Sequence, residues 1–322
     1  MDKLVSIIIP YYRESLDQLH VAMSSVNNQT GIDFNQVEVI LVSDGGRFVD
    51  VDQQFSYMKC QIKFCQNEIN GGAGVARQMG MDAAEGNYYM FIDADDQLQN
   101  CNALEPFFNV VEYNGDRDII TSRYIEQVPD EDAGFRYLTH QSKNWTSPVA
   151  KWFNRDFINR IGLRWLDDLR VFEDTYFVGL ACELAGSIYY SEAITYMWQS
   201  NPQSTMRQRN GDFSNQLHVW SRMNHAYLDM IKIHRPKILF TTYSDYVADI
   251  FLRTQKYEAA DSQAFTAEHE ALMREYCDLW PELRPRLRKI VSNLVSTSNE
   301  FKGSSTLHLH RFIKQQDQIT KL

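Results

Sequence analysis

Asp93, Asp95 and Asp96 place three carboxylates within four positions of the stretch NYYMFIDADDQL, directly behind a mostly apolar run. Carboxylates this close repel one another, and a fold keeps them where a cation, a bound ligand or solvent takes up the charge. Asp93 and Asp95, at i and i+2 past a strand, can both turn toward one hard divalent cation whose other oxygen ligands are waters or substrate phosphates. A solvated acidic turn carries the same pattern, so the D-x-D spacing by itself is compatible with both readings.

Three further groups could join such chemistry. Asn70 to Gln78, NGGAGVARQ, approaches the dinucleotide fingerprint G-x-G-x-x-G, but Arg77 stands at the third glycine and the preceding QNEIN is polar. A glycine-loosened helix start still lets backbone N–H groups and an arginine approach a diphosphate; the plainer alternative is a glycine turn with Arg77 in a surface ion pair. Asp44 in LVSDGG stands where a strand meets a glycine turn and could accept the imide N–H of uracil, or simply shape the turn. Glu173 and Asp174 in VFEDTYF fall early in a helical pattern, where the backbone dipole keeps a carboxylate ionised and able to take a proton, or where it merely caps the helix. The histidines show no zinc-ligand spacing supported by cysteines. Neither a G-x-S-x-G elbow nor a Walker loop is present.

The elements that position these groups alternate in period. KLVSIIIP, VEVILVSD, CQIKFCQ and NYYMFID read as strands, and Ser15 to Asn28 and the residues after Gly72 read as helices. This alternation predicts a mostly parallel, doubly wound α/β sheet whose ligands bind at strand carboxyl ends, where Pro10, Asp44 and Asp93 all stand. Residues 130–144 read as a polar loop, Leu169 to Gly186 as a helix, and Ser187 to Gln199 as a strand. Beyond Gly211 the pattern is helical, which divides the chain into residues 1–205 and 206–322.

Acid exceeds base by ten charges, which disfavours a partner held by its phosphates, such as nucleic acid. The excess lies before Thr205; the remainder is mildly basic and includes RPRLRK, Arg284 to Lys289. That run reads as a solvated helix face or as contact with an anionic membrane or polymer. Five cysteines without C-x-x-C spacing point to a reducing cytoplasm. No apolar run is long enough to span a bilayer, so membrane contact, at the inner face, would be peripheral.

Taken in order, IIIPYYRE, LVSDGG, NGGAGVARQ, YMFIDADD and FED resemble the motifs of bacterial family 2 glycosyltransferases: P-T-Y-N-x-E, V-D-D-G-S, N-x-G-x-x-x-A-R-N, F-L-D-A-D-D and a later E-D pair. The similarity is strong over the first hundred residues and moderate over Ser147 to Arg207. The resemblance implies a GT-A fold, a Rossmann-like mixed sheet followed by a mainly helical C-terminal region, and an inverting, metal-dependent transfer of sugar from a nucleotide-sugar. It also implies that Pro10, Tyr11, Tyr12, Glu14, Asp44, Asn70, Gly71, Arg77, Asp93 and Ala94 line the nucleotide-sugar site, Arg77 near the diphosphate. Asp95 and Asp93 would hold manganese or magnesium. Asp174, beside Glu173, would be the general base, and Tyr196, Trp198, Ser204 and Arg207 would close over diphosphate or acceptor. UDP is the expected carrier, and a glycan, lipid-linked or protein hydroxyl the expected acceptor; self-association stays open. Ser43, Gly46, Arg13 and Gln78 depart from the family pattern, which leaves nucleotide identity unsettled, and the altered W-G-K segment, VAKW, gives Lys151 no role. A sugar-phosphate nucleotidyltransferase generally shows an early glycine-rich loop with basic residues, which IIIPYYRES lacks. A non-catalytic sugar-binding module would keep the fold without the base.

Overall fold

The structure, a computed structural model, describes residues 3–201 and 213–321. Two compact units divide at Ser204 and Thr205. Ser204 and Arg207 lie outside the described residues.

In the first unit, β1 (Val5–Tyr11) and β2 (Val37–Asp44) are buried at every position, as continuous β-branched runs require when a strand is covered on both faces. Between them, α1 (Leu16–Asn27) starts at a reciprocal cap: the Ser15 hydroxyl accepts the Gln18 N–H and the Gln18 side chain accepts the Ser15 N–H. A short α2 (Val51–Gln54) leads to β3 (Gln61–Asn67), and α3 (Ala73–Ala83) to β4 (Tyr88–Phe91) and the two-residue β5 (Gln97–Leu98). Next come α4 (Glu105–Asn114), β6 (Ile119–Asp130), β7 (Gly134–His140), β8 (Lys151–Asn154), α5 (Arg155–Arg160), α6 (Glu173–Leu184) and β9 (Ile188–Trp198).

The sheet runs β3-β2-β1-β4-β8-β6-β9-β5, with β7 on β6. The first four strands are parallel, as predicted. The other half is mixed: β8 is antiparallel to β4 and β6, while β9 is parallel to β6 and antiparallel to β5. Residues 130–144 are mostly strand rather than loop. Asp130 accepts the N–H groups of Asp132 and Ala133, Gly134 takes a positive φ of 75°, and the exposed β7 folds back on β6. A strand exposed along its length leaves no apolar alternation to read.

The second unit is helical: α7 (Leu217–His234), α8 (Leu239–Lys256), α9 (Ser262–Glu275), α10 (Trp280–Leu283), α11 (Leu287–Thr297) and α12 (Leu309–Ile319). These surround their own core, which includes Tyr243, Val247, Phe251, Leu272, Leu283 and Leu287. No helix among the described residues is long and apolar enough to cross a membrane.

Candidate active site

Adjacent parallel strands β2, β1 and β4 bring Asp44, Pro10 and, two residues past its strand, Asp93 to one edge of the sheet. Asp44 is buried. Its Oδ1 accepts the Asn67 side-chain amide (3.1 Å) and the Gly71 N–H (2.9 Å), and its Oδ2 accepts the Gly72 N–H (2.8 Å). This carboxylate therefore caps α3, whose own N-cap, Gly72 at φ 99°, offers no side chain. Three of its roughly four acceptor directions are occupied, leaving one for a ligand. Tyr12 is exposed beside it, and Glu14 accepts the N–H groups of Tyr12 (2.7 Å) and Arg13 (3.1 Å). Tyr11 is not brought to an open surface: its ring lies in the core and its hydroxyl donates to the Arg47 carbonyl at 2.6 Å. Pro10 and Ala94 are buried. Asn70 donates to the Asp44 carbonyl, and its own carbonyl accepts from Arg170.

Arg77 lies beneath this corner, only 3% exposed. Its Nη1 donates to Asp174 Oδ1 at 2.7 Å and its Nη2 to Asp93 Oδ1 at 2.9 Å. One guanidinium thus joins the acid of the D-x-D to the acid of the E-D pair. Burial opposes its charge, but Asp174, Asp93 and Glu173 outweigh that cost and hold it protonated more firmly than an ordinary arginine. For Asp174, burial is the larger influence and pushes its carboxyl up to about 7; Arg77 pulls it down, while Glu173 and Asp93 push it further up. Asp174 is the second residue of α6, which begins at Glu173 rather than at Leu169 because Phe172 adopts a left-handed φ of 64° and turns the chain there. Such backbone costs on the order of 1–3 kcal/mol for a non-glycine residue and clusters at functional sites.

The remaining two acids differ. Asp96 is buried, accepting the Tyr196 hydroxyl and the Gln199 N–H, each at 2.7 Å; burial, then the charges of Asp93 and Asp95, pushes its carboxyl well up. The same Tyr196 hydroxyl accepts the Asp93 N–H at 3.1 Å. Fully buried, Tyr196 is a strut between strand end and acidic turn and does not close over a ligand as the motif order suggested. Trp198, at the end of β9, packs partly buried against the core. Asp95 accepts the Asn201 amide at 2.7 Å and borders a cleft of about 340 Å³ with Asp17, Gln18 and Gln199. Its carboxyl is pushed up by burial and then by the Asp93 charge. Two part-buried carboxylates two residues apart, with Arg77 taken by only one oxygen of Asp93, fit a hard, oxygen-ligated cation.

A second cluster, in the helical unit, brings ligand atoms of His225, Asp229 and Glu275 within 4.8 Å of one another. Lys232 Nζ lies 3.4 Å from Glu275, His225 bonds the same carboxylate at 2.9 Å, and the Tyr276 hydroxyl donates to Asp229 at 2.6 Å. It is a complete hydrogen-bonded clasp between α7 and the end of α9.

A family model described as glycosyl transferase family 2 matches residues 6–178, more than half of the chain. The chain belongs to glycosyl transferase family 2. Among curated members, the glycosyltransferase MJ1057 of Methanocaldococcus jannaschii is 32% identical over 38% of this chain and 42% of its own length. The glycosyltransferase YibD of Escherichia coli K12 is 23% identical over 71% of this chain and 74% of its own. The first relatives are thus matched over less than half their length. Residues 1–349 of S. aureus TarS share the fold at a TM-score of 0.67 and 16% identity, over 98% of this chain and 88% of that one. The fold is GT-A, followed by a helical region.

Within this family member, sequence motifs did not reveal Gln199 and Asn201, which engage Asp96 and Asp95, nor Trp165, whose ring lies under Arg77. A single tryptophan in an irregular segment carries no spacing signal.

Proposed function

We propose that this glycosyltransferase moves a sugar, with inversion, from a nucleoside diphosphate carrier to a hydroxyl acceptor, using Asp174 as general base. The observation that carries this reading is the Arg77 bridge, which puts the donor-side acid Asp93 and the base Asp174 on the two Nη atoms of one guanidinium. The acceptor hydroxyl gives its proton to the Asp174 carboxylate as its oxygen attacks the anomeric carbon. The bond from that carbon to the diphosphate oxygen breaks, and the diphosphate leaves with the electron pair. A single displacement inverts the centre, so an α-linked donor yields a β-linked product. Glu173 adds negative charge beside the base. Asp93 and Asp95 would hold manganese or magnesium, which neutralises charge on the departing diphosphate.

Uridine is the favoured nucleoside. TarS crystals contain UDP and UDP-GlcNAc on the same fold, and the free acceptor direction on Asp44 suits the uracil imide N–H. Pro10, Tyr12, Glu14, Asn70 and Gly71 would frame this nucleotide. Residues 1–205 are assigned the chemistry, and residues 206–322 contacts with a glycan, lipid-linked or protein acceptor, with a membrane surface, or with a second copy.

Asp174→Asn is expected to lower UDP release from UDP-sugars about 10²-fold or more, while manganese with UDP still raises the melting temperature. Undiminished release in that variant would move the base elsewhere. Pyrophosphate in place of UDP as product would favour a nucleotidyltransferase.

A further inference from the structure

Trp165 lies between α5 and α6 and is almost fully buried. The Phe177 ring stacks flat on its indole, centroids 4.2 Å apart at 4°. That leaves the other face to the Arg77 guanidinium, whose carbon is 5.0 Å from the indole centroid. The Phe91 ring meets the indole edge-on at 5.4 Å and 87°. The backbone N–H of Trp165 donates to Gln78 Oε1 at 2.9 Å, while the indole Nε1 is buried with no hydrogen-bond partner.

Each partner sits beside a charge of the site. Gln78 follows Arg77 on α3, Phe91 ends β4 two residues before Asp93, and Phe177 lies one helical turn beyond Asp174 on α6. The three elements that supply the bridge therefore meet on one side chain. Arg77 Nε is buried with no hydrogen-bond partner, so two Nη contacts and the indole face are what set the plane of the guanidinium. A cation over a desolvated indole is held by the ring quadrupole as well as by packing.

We infer that Trp165 is a positioning residue for sugar transfer, holding the Arg77 guanidinium in register with Asp93 and Asp174. The inference rests on the reading of Asp174 as the base. An aliphatic side chain can fill much of the space but presents no aromatic face; phenylalanine keeps the face.

The test is a kinetic cycle on the full chain, using whichever of UDP-GlcNAc, UDP-glucose and UDP-galactose gives the fastest UDP release. Trp165→Phe is expected to stay within about 3-fold of the parent kcat, and Trp165→Met to lose about 10-fold with donor KM changed less than about 2-fold. In an Arg77→Lys background, where no guanidinium plane remains to orient, Trp165→Met should cost less than about 2-fold more. Equal losses for Phe and Met, or the same Met loss in both backgrounds, would reduce Trp165 to packing and overturn the inference. A crystal structure of Trp165→Met supplies a readout without turnover: Arg77 should leave one of its two carboxylates, and an intact bridge counts against the proposal. If Trp165→Met does not fold, Phe177→Leu, which removes the backing ring, replaces it with the same expectations. Asp174→Asn separates the two claims, since full turnover there removes the base, whereas its loss beside an uncoupled Trp165 overturns only this inference.

Discussion

A carboxyl pushed up to about 7 is ionised only in part near neutrality. The base form of Asp174 accumulates as pH rises, so kcat is expected to climb about tenfold per unit below pH 7 and to level off above it; a flat profile between pH 5.5 and 8 would contradict this. Arg77→Leu leaves Asp93 and Asp174 facing each other without their cation. Because each carboxylate is about a third exposed, the cost should fall between those of exposed and buried pairs, roughly 2–3 kcal/mol by urea unfolding. The residue types were legible as motifs in order. The bridge was not: Arg77 lies 16 positions from one partner and 97 from the other, and a pairwise distance of that kind leaves no local trace.

At the level of elements, α3 lies close against β1 because Gly80 has no side chain: a Cβ there would come within 2.4 Å of Ile8 Cγ2. Gly80→Val should cost about 1–3 kcal/mol, seen as a lower melting temperature, and by displacing α3 it should also weaken UDP binding. Ser15→Ala, which removes the cap of α1, should cost about 1 kcal/mol and leave UDP binding unchanged. The helix α1 was readable because the buried Leu19, Met23 and Val26 keep helical spacing, whereas its reciprocal Ser15–Gln18 cap came from the structure. The true start of α6 was not, because Leu169 to Phe172 carry helix-compatible residues and only the left-handed backbone at Phe172 ends the irregular segment.

Across the whole molecule, each unit has its own core. In the helical unit Arg253 is buried among Phe213, Trp220 and Phe301 and paired with Asp249 and Glu300. Arg253→Met, which leaves those acids uncompensated, should cost this unit about 2–4 kcal/mol while the melting shift caused by UDP persists. Of the basic run, Arg284 pairs with Asp317 and Arg286 with Glu282, which favours a solvated helix face over a bare cationic patch. The sequence by itself determined the parallel half of the sheet, the helical character of the second half and the order of the acidic motifs, because period and capping act over a few residues. Tertiary structure alone decided the mixed half of the sheet, the burial of Tyr11 and Tyr196, and the meeting of Arg77, Asp93, Asp174 and Trp165. Those depend on which strands pair and on how closely helices approach the sheet, and long-range packing settles both.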